Sequence, residues 1–131
     1  MQLQSLLFTL PFLTAVLASP APAEAAPVAA VHPIGYGQQL QNNDQANHWV
    51  VWIEGKSACP NSRTLSRLVD SPCGHTFYFD NQPYHLADCG SDNEPRRVVQ
   101  PGGKSQSCSR DNRKITCHGS THDIVKHGKC G

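Results

Sequence analysis

The stretch His48-Trp49-Val50-Val51-Trp52-Ile53, with Cys59-Pro60-Asn61-Ser62-Arg63-Thr64-Leu65-Ser66-Arg67-Leu68-Val69-Asp70 after it, decides the fold class. The first run is β-branched and aromatic with no polar alternation. That is the pattern of a strand covered on both faces, hence one interior to a sheet. The second run has Pro60 in a position that suits a first helical turn, and Leu65, Leu68 and Val69 fall at i, i+3 and i+4. It therefore predicts a short helix laying an apolar stripe on the sheet. Ser71-Pro72 ends it, because the residue before a proline is pushed out of the helical region.

Working outward, a hairpin is expected next. With Asn81-Gln82 at its turn, Phe79 pairs with Tyr84 and Phe77 with Leu86, gathering four apolar side chains on one face. Thr76, Tyr78, His85 and Ala87 take the other. Cys73 and Cys89 then fall on opposite faces, so a bond between them needs a bulge, which Gly74 and Gly90 permit. A second hairpin is expected at Asn112-Arg113, about which Cys108 and Cys117 are symmetric. Opposed Cβ atoms lie about 4.5–5.5 Å apart, close to disulfide reach, so Cys108–Cys117 is the expected bond. Cys59 and Cys130, the outermost pair, are left to close the domain, and Ile124-Val125 supplies a last short strand. Six cysteines allow 15 pairings, which spacing alone does not reduce to one. The expected fold is α+β: a small disulfide-stapled antiparallel sheet with one short helix.

The even set of six cysteines follows an uncharged apolar leader, Ser5 to Ala18, that is shorter than the roughly 20 residues of a membrane span. Val16 and Ala18 occupy the −3 and −1 positions of a cleavage after Ala18. These features predict a signal peptide over 1–18 and a secreted, disulfide-bonded protein with no transmembrane segment. Residues 19–47 hold a Pro/Ala tract and a Gln/Asn-rich stretch, which predict a disordered spacer. Residues 48–131 form the cysteine-rich domain. A core of this size supplies only a few kcal/mol, and each native disulfide in a small secreted domain adds about 2–5 kcal/mol.

Charge is unevenly divided. Between Ser19 and Pro95 eight acidic residues face three basic ones, whereas from Arg96 onward eight basic residues face Asp111 and Asp123. Such a basic third attracts anions or pairs with the acidic remainder of its own fold. The lack of aromatics after Tyr84 disfavours nucleic acid as a partner. His118, His122 and His127 are a candidate metal set, but Gly119-Ser120-Thr121 disfavours the helix on which the first two would converge. Asp70, Asp80, Asp88 and Glu94 could pair as glycosidase carboxylates, but a domain of 84 residues has little surface for a sugar cleft. No Gly-x-Ser-x-Gly elbow occurs, and oxidised cysteines offer no thiolate, so no catalytic residue, metal or cofactor is assigned.

Tyr84-His85, Glu94, Arg97-Val98-Val99 and Ile115-Thr116-Cys117-His118-Gly119 loosely resemble, in order, the small guanyl-specific fungal ribonucleases. That likeness implies His118 as general acid, Glu94 as base and Arg97 as stabiliser of a phosphorane. It departs from the family in placing His85 directly after Tyr84, which turns the two side chains to opposite faces of a strand. The layout of leader, low-complexity spacer and six-cysteine tail resembles the small secreted cysteine-rich proteins of filamentous fungi, many of them candidate effectors. This likeness implies a monomer that binds a host protein or cell-wall component to blunt defence, outside the host cell or after translocation into it. The rival implication is an antimicrobial or killer-type toxin acting on membranes through the basic third.

Overall fold

In the computed structural model the described residues are 30–40, 47–119 and 122–131. The expected signal peptide, and the Pro/Ala tract behind it, lie outside them. Eight strands form one antiparallel sheet: β1 (Ile34–Gln39), β2 (His48–Ile53), β3 (Arg63–Arg67), β4 (Phe77–Phe79), β5 (Gln82–Ala87), β6 (Arg97–Val99), β7 (Ser105–Ile115) and β8 (Ile124–Cys130). Their order is β3-β2-β1-β8-β7-β6-β5-β4, and the sheet curls into a nearly closed barrel. The open seam lies between β3 and β4, where the Arg63 guanidinium sits over the Phe79 ring, 4.8 Å from its centroid.

The α+β expectation is corrected: the fold is nearly all sheet. A single helical turn, α1 (Ala58–Asn61), remains of the expected helix. The chain becomes extended at Ser62, and Arg63–Arg67 pairs with β2. An isolated helix of a dozen residues is marginal in water, and Ser62, Thr64 and Ser66 are weak helix formers. The unpaired edge of β2 offers backbone partners instead. Leu65 and Leu68 still pack against the core, but Val69, the third member of the expected stripe, is 73% exposed.

Two-sided burial of β2 matches its sequence pattern. Trp49, Val51 and Ile53 join the barrel interior with Ile34, Tyr36, Phe77, Phe79, Tyr84, Leu86 and Val98. Val50 and Trp52 face outward into a second cluster with Ala58, Cys117 and Ile124. The Cys59–Cys117 disulfide tethers α1 over this outer cluster.

The first hairpin forms with its four apolar residues on one face, but two residues out of the expected register. Phe77 pairs with Tyr84 and Phe79 with Gln82. The turn is Asp80-Asn81, both at positive φ (53° and 60°). Two-residue hairpin turns that follow the sheet's twist need that conformation, which Asp and Asn tolerate. Cys73 and Cys89 are bonded; both lie outside the paired strands, where facial alternation no longer constrains them.

Two further expectations fail. No hairpin forms at Asn112-Arg113: β7 runs straight through as an eleven-residue strand. Cys108 therefore meets Cys130 across β8, and Cys117 meets Cys59, replacing the expected Cys108–Cys117 and Cys59–Cys130 bonds. Residues 34–39, expected within the disordered spacer, instead form an interior strand between β2 and β8. Its Ile34 and Tyr36 point inward while Gly35 and Gly37 admit neighbours on the other side. A Cβ at Gly35 would sit 2.5 Å from the Trp52 indole, and one at Gly37 would sit 2.2 Å from the Val125 carbonyl oxygen.

The Gly37 contact is with backbone and cannot relax by a rotamer change. Gly37→Ala should therefore cost about 1–3 kcal/mol, read as a lowered midpoint in a denaturant titration. An unchanged midpoint would remove β1 from its place beside β8.

Candidate functional site

Two concave polar features stand on this scaffold, one on each side of β8. A β-bulge creates the difference: the register of β8 against β1 shifts between Tyr36 and Gly37, at His127. Lys126 consequently faces the outer layer and His127 the inner one.

On the inner side the site centres on Glu94. Its loop folds on itself: the Gly90 amide donates to the Glu94 carbonyl, the Asn93 amide to the Gly90 carbonyl, and the Glu94 amide to Asp92 Oδ1. Asn93 sits at φ 62°, a left-handed conformation that asparagine accepts readily. This tight loop turns the Glu94 carboxylate inward, leaving its side chain 13% exposed. Glu94 Oε2 accepts from His127 Nδ1 at 2.8 Å, which places the imidazole proton on Nδ1. The His127 ring stands edge-on to Trp49, centroids 5.1 Å apart.

Glu94 Oε1 is buried and has no aligned hydrogen-bond donor among the described residues. The Arg110 guanidinium lies 2.9 Å away as an ion pair. The distance marks a strong attraction, but a misaligned N–H leaves the oxygen's lone pairs unfilled. Above this group opens a cavity of about 290 Å³, lined by Tyr36, Asp92, Glu94, Arg96, Ser109 and Arg110. Burial, and after it the Glu94 charge, raises the pKa of Tyr36. Its phenol stays protonated and serves as a neutral donor and acceptor.

On the outer side Lys126 is fully buried, its ammonium donating to Glu54 and, at 2.9 Å, to Asp111. The hydrogen bond from Lys126, followed by its charge, holds the Asp111 carboxyl below its ordinary value. Next to this triad lies a groove of about 380 Å³ with Trp52 in its wall and Lys56, Arg113 and Lys114 around it. Lys114 lies 3.6 Å from Asp123, whose carboxylate also accepts the Cys117 amide. Lys56 and Arg113 form no ion pair among the described residues.

The ribonuclease-like trio is not assembled. Glu94 meets His127 and Arg110, Arg97 binds Asp88, and His118 lies near Asp123 beyond the end of β7. Asp80, Asp88 and Glu94 each face a different basic side chain instead of one another. The histidines do not converge either: among the described residues no group of three His, Cys, Asp or Glu side chains could hold a metal. Of the inner cluster, Glu94 and His127 were singled out from the sequence, Glu94 as a carboxylate and His127 as a candidate metal ligand, but nothing in the sequence paired them. Tyr36, Arg110 and His127 reach Glu94 only through strand pairings, and no local motif marks Tyr36 or Arg110. Among known proteins, no family model, curated protein or solved structure matches the chain.

The buried ammonium needs its carboxylates. Glu54→Ala, which removes one of the two, should cost about 3–5 kcal/mol in a denaturant titration. Lys126→Met should cost less, since Glu54 and Asp111 are both partly exposed and can hydrate. The reverse order would mean that Lys126 is not buried as an ion.

Proposed function

We propose that this protein is a secreted, effector-type binding protein that engages a host component to suppress defence. One observation carries the reading. The barrel interior is packed with apolar and aromatic side chains, so recognition falls to concavities that open to solvent, such as the polar one over Glu94, which holds a buried acceptor without an aligned donor. Small eight-stranded barrels are commonly filled in this way. Three disulfides fit a protein made for an oxidising, protease-rich exterior.

The rival readings draw less support. Three cations of the basic third, Arg97, Arg110 and Lys126, are spent on Asp88, Glu94 and Glu54. Part of the attraction between acidic and basic segments is thus internal, which leaves less charge for a membrane. Phosphodiester transfer lacks the assembled trio described above. No helix among the described residues is long and apolar enough to cross a membrane.

The test is a defence assay in host tissue. The folded wild-type protein should lower the elicitor-triggered oxidative burst, and a Cys59→Ser/Cys117→Ser variant should not. A burst left unchanged by folded wild-type protein overturns the proposal, as does RNA cleavage by the purified protein.

A further inference from the structure

We infer that the cavity over Glu94 is a subsite for one neutral sugar residue of a cell-wall glycan. This rests on the binding reading above and names the chemistry of the partner. The charges lining the cavity balance: Asp92 and Glu94 against Arg96 and Arg110. An anion such as phosphate would meet two carboxylates along with its two cations, and a free cation the converse. A neutral ligand with several hydroxyls faces no such conflict. Each hydroxyl both donates and accepts, so neighbouring hydroxyls can give a proton to a carboxylate and take one from a guanidinium.

The lining groups alternate in that sense. Glu94 and Asp92 accept, Arg96 and Arg110 donate, and Tyr36 and Ser109 do either. Pro95 and Cys108 supply an apolar wall for the ring's C–H face. Glu94 Oε1 is the strongest pointer. A buried carboxylate oxygen without a donor is costly, and an arriving hydroxyl supplies what Arg110 does not. Arg110 is 53% exposed and holds Glu94 by one ion pair, so it is the group able to move aside. His127 acts through Glu94 as a positioning residue: its hydrogen bond to Oε2 fixes the carboxylate beside the cavity, with Oε1 covered by Arg110.

The experiment is a titration of the intact disulfide-bonded protein with tetrasaccharides of four neutral wall polymers (chitin, β-1,3-glucan, cellulose and xylan). Amide and side-chain NMR shifts at Tyr36, Glu94, Arg110 and His127 report the site, and calorimetry reports the affinity. At least one tetrasaccharide should bind with shifts at those residues. Glu94→Gln and Arg110→Ala should each weaken binding about tenfold or more, the loss of one charge-assisted hydrogen bond. Lys114→Ala, in the opposite groove, should leave it unchanged. Arg110 is exposed enough for its variant to fold should Glu94→Gln fail to. The inference is overturned if no tetrasaccharide shifts these residues at millimolar concentration, or if Arg110→Ala binds as wild type. It is equally overturned if inorganic phosphate or oligogalacturonate occupies the cavity in preference. The two proposals part cleanly: defence suppression by wild-type protein that binds no tetrasaccharide removes the sugar subsite only. Sugar binding without defence suppression removes the effector reading only.

Discussion

The register of β7 holds the two halves of this barrel together. Ser105, Gln106 and Ser107 pair with β6, while Cys108 to Ile115 pair with β8. Strands β1, β2, β3 and β8 lie to one side of it and β4, β5 and β6 to the other. The backbone is continuous across the changeover, where the Cys108 amide donates to the Arg96 carbonyl and the Gly131 amide to the Ser107 carbonyl. Cys108 opposite Cys130 then fixes that register covalently. A slip of one residue would turn every side chain of β7 to the other face. Arg110 would leave Glu94, and Asp111 would leave Lys126.

Both polar sites follow from this pairing and from the bulges beside it. The β7 register shifts between Arg110 and Arg113, which lets Asp111 reach Lys126 on the outer face while Arg110 reaches Glu94 on the inner one. The bulge of β8 against β1 at His127 likewise separates Lys126 from His127. Bulges re-aim side chains at the cost of a ladder bond, and here two of them lie beside four charged or titratable groups, of which Lys126 is fully buried and Arg110 is exposed. The three disulfides lie around this framework, one across the β7–β8 ladder and one over each of two loop regions.

Features set by local pattern could be read from the residues. The unbroken apolar run of β2 announced two covered faces, and the alternation Phe77, Phe79, Tyr84, Leu86 announced a common inward face that a two-residue change of register preserves. Features set by distant partners could not. Arg63–Arg67 is a strand because β2 has a free edge, not because its own sequence prefers one. Ile34–Gln39 was hidden by averaging, since two glycines and two glutamines sit between a Pro/Ala tract and a Gln/Asn run. Asp111-Asn112 has the composition of a turn, and only the pairing of β7 with β6 and β8 shows it as a bulge within a strand. The candidate site shows the same division. Glu94 was named as a carboxylate and His127 as a metal ligand, but Tyr36, Arg110 and His127 are 58, 16 and 33 residues away from Glu94 in sequence, so their convergence was not legible.

The most direct test is the disulfide map of the protein purified without reductant, cleaved with trypsin and read by mass spectrometry. Trypsin cuts after Arg110, Arg113 and Lys114, which separates Cys108 from Cys117 unless a bond joins them. A continuous β7 predicts two linked peptide pairs, Cys59 with Cys117 and Cys108 with Cys130, and one peptide spanning residues 68–96 that is closed on itself by Cys73–Cys89. A Cys108–Cys117 link would mean that the chain turns back at Asn112-Arg113, and would contradict the barrel together with both sites built on it.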